Sequence, residues 1–368
     1  MGTNRLSRRD AMLAKIHGRR VERIPFATYN FHPFGSHAKD PSYAALLELV
    51  DAKAGMFIKH GVRRVGTDAA TRERRVEQTR AETRTTTLWH TPKGDLRSVF
   101  VVPRGQPGYT VEHFIKTNAD VERVLSVPHA TPDFDAADTR RFLETLGDRG
   151  VVAVTHPDPM AVACSLFDFE EFVVRCITDS ARIQALIDYL AAGIYAEVER
   201  MAVVCEGLPI IFHTSGPELA TPPMLSPAVF ARLVTPCQKR INEILHARGH
   251  RSCIHCHGRV RLVLDEMLET GTDALEPIEP PRQGDITLAE LLERVDGRLC
   301  LIGHIQDQDF YLAAPGEMRR RVAEIAAVVS PASRYIMTPT CTPFQHPASR
   351  QYVAAYSEWI EAAAELLP

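Results

Sequence analysis

The sequence predicts an α/β fold built as a single (β/α)8 TIM barrel, with an N-terminal helical extension and an inserted β-hairpin. Three observations predict it. Short apolar runs begin at Ile24, Val62, Val151, Leu208, Ser252, Ala274, Leu299 and Tyr335, which makes eight strands. Helical patterns separate most of these runs, and such alternation favours a parallel sheet. The turn after the first run, Asn30-Phe31-His32-Pro33-Phe34-Gly35, lacks the glycine spacing of a dinucleotide site, which argues against an open doubly wound sheet. With 368 residues and no internal repeat or low-complexity linker, one elaborated barrel over 1–368 is preferred to two domains.

The elements follow in order. Residues 5–18 read as a helix stopped by Gly18 and the basic pair Arg19-Arg20. The first strand runs to Tyr29 and ends at Asn30. Residues 42–60 carry Leu46, Leu47, Val50, Met56 and Phe57 near helical spacing, and Gly61 closes that helix. Val62 opens the second strand. Residues 82–103 are rich in β-formers around Pro92-Lys93-Gly94-Asp95 and read as a hairpin interrupting the alternation. Helical signal returns at 118–125. From residue 150 onward strand and helix alternate regularly, ending with a helix over 349–366.

Composition excludes several classes. Hydrophobic residues make up 45%, charged residues 24%, and the net charge is −3, so no basic surface suggests a nucleic-acid partner. No apolar run reaches 18 residues, which argues against a membrane span. The N-terminal stretch is basic without an apolar core or cleavage site, and eight cysteines are too few for a disulfide scaffold. A reduced, cytoplasmic protein is expected, with thiols free for metal binding or catalysis.

In a barrel, reactive residues gather at the C-terminal ends of the strands. Those ends are polar here: Asn30 and His32, Asp68, His156 and Asp158, His213 and Glu218, His255 and His257, Glu276 and Glu279, His304 and Gln306, and Cys341. The sharpest local signal is Cys253-Ile254-His255-Cys256-His257-Gly258. Side chains alternate along a strand, so Cys253, His255 and His257 share one face and Cys256 takes the other. Two imidazoles a residue apart suit a borderline-soft cation such as Zn²⁺, which takes about four ligands. Cys341 is expected to supply a third ligand and Glu279 an exchangeable fourth. Cys253, Cys256 and Cys300 lie in apolar runs and read as core; Cys164, Cys176, Cys205 and Cys237 lie on helical segments.

Several motifs together resemble the uroporphyrinogen decarboxylase superfamily. They are Ser7-Arg8-Arg9-Asp10-Ala11-Met12-Leu13-Ala14 leading to Gly18-Arg19-Arg20-Val21-Glu22-Arg23-Ile24-Pro25, then His255-Cys256-His257-Gly258, Gly271-Thr272-Asp273-Ala274-Leu275-Glu276-Pro277, Leu299-Cys300-Leu301-Ile302-Gly303-His304-Ile305 and Met337-Thr338-Pro339-Thr340-Cys341. The resemblance spans essentially the whole chain and implies a barrel with its site at the C-terminal mouth. The true decarboxylase carries an arginine-rich segment near its N-terminus that grips propionates. Here Tyr29-Asn30-Phe31-His32-Pro33-Phe34 has no arginine, which disfavours a substrate with eight carboxylates. The chain looks closer to the zinc and corrinoid methyltransferase branch, whose H-x-C-G motif, later acidic residue and late cysteine bind zinc. That resemblance implies His255, His257 and Cys341 as metal ligands, with His257 where the family often has cysteine and Glu279 near the acidic position. His304 replaces an asparagine common in the family.

Three functions follow. The first is a zinc-dependent methyltransferase or demethylase acting on a small methylated, thiol or ether substrate. In it Glu218 and Glu279 are the catalytic candidates, and Asn30, His156, His213, Glu276, His304 and Gln306 bind substrate. The chain lacks the D-x-H-x-x-G cobalamin signature, so any corrinoid would arrive on a separate partner protein. The second is a metal-free decarboxylase or lyase on a non-porphyrin substrate, stabilising charge on carbon through His156, His213, His304 and Glu218. The third is a barrel retained only to bind a partner. The hairpin is a candidate oligomer interface.

Overall fold

The computed structural model describes residues 6–66, 72–130 and 132–368, so Asp68 lies outside the described residues. Eight strands form one sheet: β1 (Ala27–Tyr29), β2 (Gly55–His60), β3 (Gly150–His156), β4 (Ile210–Ser215), β5 (Ser252–His255), β6 (Ala274–Ile278), β7 (Cys300–Ile305) and β8 (Tyr335–Pro339). They lie in sequence order and every neighbouring pair is parallel. A bridge between Phe26 and Met337, with the Met337 N–H donating to the Pro25 carbonyl, closes the ring into a barrel.

Two apolar clusters divide the buried residues along the strands. Ala27, Tyr29, Phe57, Val151, Ala153, Ile211, Cys253, Ala274, Cys300, Ile302 and Ile336 fill the interior. Their neighbours Met56, Ile58, Val152, Val154, Phe212, Ile254, Leu275, Leu301 and Met337 pack against the helical ring. This is the alternation a barrel requires. The N-terminal helix (Arg8–Ile16) plugs the bottom, since Met12 and Ile16 belong to the interior cluster. Ser7 caps that helix by accepting from the Asp10 N–H. Lys15 is fully buried beside it and donates to the Pro331 and Ser333 carbonyls at 2.6 Å each.

The second strand departs from expectation. The helix expected over 42–60 is only Ala44–Lys53, and Ala54 turns extended into β2. Met56, Phe57 and Ile58 are consecutive and all buried. A surface helix buries one stripe, whereas a parallel barrel strand buries both faces, so the run goes to a strand. The segment expected as strand two, Arg63–Val65, is exposed and pairs antiparallel with Asp133–Asp135 outside the barrel. Glu82–Trp89 and Leu96–Pro103 form the middle of a four-stranded antiparallel sheet, flanked by Arg72–Gln78 and Tyr109–Glu112. Among the described residues no helix is long and apolar enough to cross a membrane.

Candidate active site

The polar end of the barrel centres on Glu276. Pro277 has no N–H for the ladder, and the β6–β7 register shifts between Leu275 and Ile278. Glu276 sits opposite His255 in the β5–β6 register. Its side chain is fully buried, and Oε2 accepts from His255 Nδ1 at 2.7 Å and from His213 Nε2 at 3.1 Å. The Tyr29 hydroxyl lies 3.4 Å from His255 Nδ1, beside the same carboxylate. Burial alone would raise the Glu276 pKa, but the two imidazoles overcome it and bring it down to about 2. Burial keeps His213 below the ordinary imidazole value, with Glu276 opposing. His213 Nδ1 and Glu276 Oε1 are buried with no hydrogen-bond partner.

His213, His255 and Glu276 offer ligand atoms within 4.8 Å of one another, and they are the one such group among the described residues. Two imidazoles and a carboxylate are a donor set that suits zinc, and the unpartnered Glu276 Oε1 leaves capacity for a further bond. The residues therefore fit such an ion. His255 Nε2 has no hydrogen-bond partner among the described residues, because the contacts of this ring with Glu276 and Tyr29 both run through Nδ1.

A second layer lies at the rim. His257 follows the end of β5, and its ring meets that of His255 edge-on at 4.7 Å. The two imidazoles thus lie together, as the alternation predicted, with Cys253 in the interior and Cys256 in the outer core. His257 Nδ1 lies 3.2 Å from Glu279 Oε1, and Glu279 Oε2 accepts from the Gly258 N–H at 2.6 Å. Burial opposes ionisation of both partners, but the pairing raises the His257 pKa and lowers that of Glu279. Gln306 Nε2 reaches Glu279 Oε1 at 3.5 Å, while Gln306 Oε1 accepts from the Thr340 hydroxyl at 3.2 Å. Glu218, His257 and Glu279 line one cavity of about 460 Å³ together with Phe169 and Met224.

Glu218 is held by the β4 turn. The Gly216 N–H donates to Glu218 Oε2 at 2.8 Å. Gly216 adopts φ +144°, and a Cβ there would lie 2.4 Å from Asp158 Oδ1. Asp158 caps the following helix through the Ala161 N–H and also accepts from Gln238. Burial, helped by the charge on Glu218, raises its pKa to about 7.

Other expected residues stand apart from this cluster. His156 packs on Phe212 of the outer face, and burial lowers its pKa to about 4. His304 adopts φ +79° and lines a cavity between the helices Leu288–Val295 and Glu317–Val328, outside the barrel. Asn30 joins two strand ends, its N–H donating to the Phe57 carbonyl at 2.8 Å and its own carbonyl accepting from Thr342 at 3.2 Å. Cys341 is exposed after β8 and lies outside the 4.8 Å group. Burial of its sulfur, with Asp307 and Glu276 adding, raises its thiol pKa.

Two residues of the mouth were not singled out from the sequence, Tyr29 and Lys59. Tyr29 ends β1, a position that could have marked it. Lys59 was concealed because its segment was read as a helix.

A family model described as uroporphyrinogen decarboxylase matches residues 100–354. A solved methyltransferase from Methanosarcina mazei superposes with a TM-score of 0.60 at 13% identity, covering 98% of this chain and 99% of its own, which is a likeness of fold. A Bacteroides ovatus GH5 xyloglucanase in complex with a XXXG heptasaccharide aligns at a TM-score of 0.30 and 10% identity, over 83% of this chain and 98% of its own, too loosely to bear on function. No curated protein matches at a significant level.

Proposed function

We propose that this chain, which belongs to the uroporphyrinogen decarboxylase family, is a metal-dependent transferase of the methyltransferase type acting on a small thiol or methyl-ether substrate. The observation that carries the reading is the His213–Glu276–His255 cluster on the floor of the mouth. These three residues would hold a zinc-like ion; His257 and Cys341, the other donors expected from sequence, lie outside that group and would complete a shell of about four ligands only by moving toward it. When bound, such an ion would supply Lewis acidity and keep a substrate thiolate deprotonated at neutral pH.

The chain's own residues then divide the work. Glu276 fixes the orientation of both imidazoles by accepting from each, so the three side chains form one preset group. Tyr29 restrains the His255 ring by stacking on it. Glu279 holds His257 at the cavity wall, and Glu218 offers a further carboxylate to the same cavity. A methyl donor of the corrinoid class would reach this mouth on a separate protein. The experiment is transfer assayed with methylated thiols and aryl methyl ethers, with and without an added corrinoid protein. Turnover abolished by chelation and restored by zinc supports the reading.

A metal-free carboxy-lyase is the second reading. It is favoured by Lys59, which places a cation beside Tyr29 without needing any ion. Carbon dioxide release unaffected by chelator would establish it instead.

A further inference from the structure

Lys59 stands two residues beyond Phe57 on β2. Phe57 belongs to the barrel interior, so alternation turns Lys59 to the same side, one step nearer the mouth. The side chain is half-buried, and its Nζ lies 5.5 Å from the centre of the Tyr29 ring. Among the described residues it makes no hydrogen bond or ion pair. It is close enough to His213 on the floor and to Cys341 at the rim to act on the charge of each. An ammonium has three donors, and a ring face satisfies none of them with an oxygen. The neighbouring Glu276 is already answered by two imidazoles. A half-buried cation with no oxygen partner, turned to the interior side of the barrel beside Tyr29, is a receptor for an anion.

We propose that Lys59 anchors a carboxylate of the substrate, so that the substrate is a small carboxylic acid whose heteroatom reaches the His255 and Cys341 side of the mouth. A monoanion is favoured over a phosphate dianion because a single ammonium balances one charge, and Glu276 and Asp307 already place negative charge near Cys341. This inference rests on the function proposed above for the location of the reacting end, but its test needs neither turnover nor metal.

Titration calorimetry would compare mercaptoacetate and methoxyacetate with their amides and with methyl phosphate, on protein as purified and after chelation. At least one carboxylate should bind about tenfold or more tightly than its amide, as a hydrogen-bonded charge pair implies. The preference should disappear in Lys59→Met and persist in Lys59→Arg, with circular dichroism confirming that both variants fold. Equal affinity for acid and amide, a preference that survives Lys59→Met, or tighter binding of methyl phosphate would overturn the proposal. If the preference holds alike before and after chelation, the anchor stands whatever becomes of the metal reading.

Discussion

The carboxylate of Glu276 and the imidazole of His255 meet at 2.7 Å across the β5–β6 register, and both are buried at the floor of the barrel mouth. The same carboxylate oxygen also receives His213. One acceptor thus fixes two rings, so their orientations depend on each other.

Glu276→Gln keeps the shape of the side chain and removes its charge. Metal affinity should fall by at least about 10–100-fold, since losing a carboxylate that merely backs a ligating histidine already costs that much and Glu276 is itself a proposed ligand. Glu276→Ala should in addition lower stability by about 1–3 kcal/mol, because two buried N–H groups lose their acceptor. Metal competition titrations and denaturant melts read the two effects separately.

Gly216→Ala tests the link between β4 and Glu218. The added Cβ would lie 2.4 Å from Asp158 Oδ1, at a backbone φ of +144°. A loss of about 1–3 kcal/mol is expected from the strained backbone, with reduced activity in the protein that remains folded. A variant as stable and active as the parent would show that the turn does not hold Glu218.

Much of this architecture was legible in the sequence, and the exceptions have physical causes. Strands β3 to β8 each end in an identifiable turn, and Ser180–Val204 has the helical pattern of its sequence. β2 was hidden because only Gly55 separates Met56-Phe57-Ile58 from the helix, and one glycine inside a helical pattern does not by itself end it. Buried strands have no alternation to separate them from helices. In the site, His255 and His257 do lie together, although β5 ends at His255 and His257 stands on the turn after it, since contact between residues two apart is a local property. The pairing of His213 with Glu276 joins residues 63 apart in sequence and needed the closed barrel to appear. His304 was read as facing the mouth, but positive φ at Gly303 and His304 interrupts the alternation that would have turned it inward.

Met12→Ala tests the plug at the opposite end of the barrel. Met12 is fully buried in the interior cluster, against Gly55 of β2. Truncation should cost about 2–5 kcal/mol, read by denaturant unfolding. Substrate binding by the folded fraction should be unchanged, since the mouth lies at the other end.

Acid should destabilise the fold between pH 6.5 and about 4. His32, His156 and His304 have pKa values lowered to about 4 by burial, from 6.5. Each therefore contributes stability above pH 6.5 that is lost as pH falls toward 4, where the unfolded chain binds protons the folded chain refuses. Asp158 and Asp307 act in the opposite sense, because burial raises both from 3.8 to about 7. Their contribution is present below pH 3.8 and is lost as pH rises toward 7. Melting curves of His304→Asn and Asp307→Asn should flatten the acid and the neutral limb respectively.

The central claim is that the floor cluster holds a metal. Elemental analysis of the protein purified without a histidine tag tests it most directly, alongside His213→Ala, His255→Ala and Cys341→Ser. About one equivalent of zinc or another divalent ion is predicted in the parent, since the cluster supplies one set of donors. Loss is predicted in both histidine variants and weakened retention in Cys341→Ser. Active parent protein without a divalent ion, or full occupancy after removal of His255, would contradict the account.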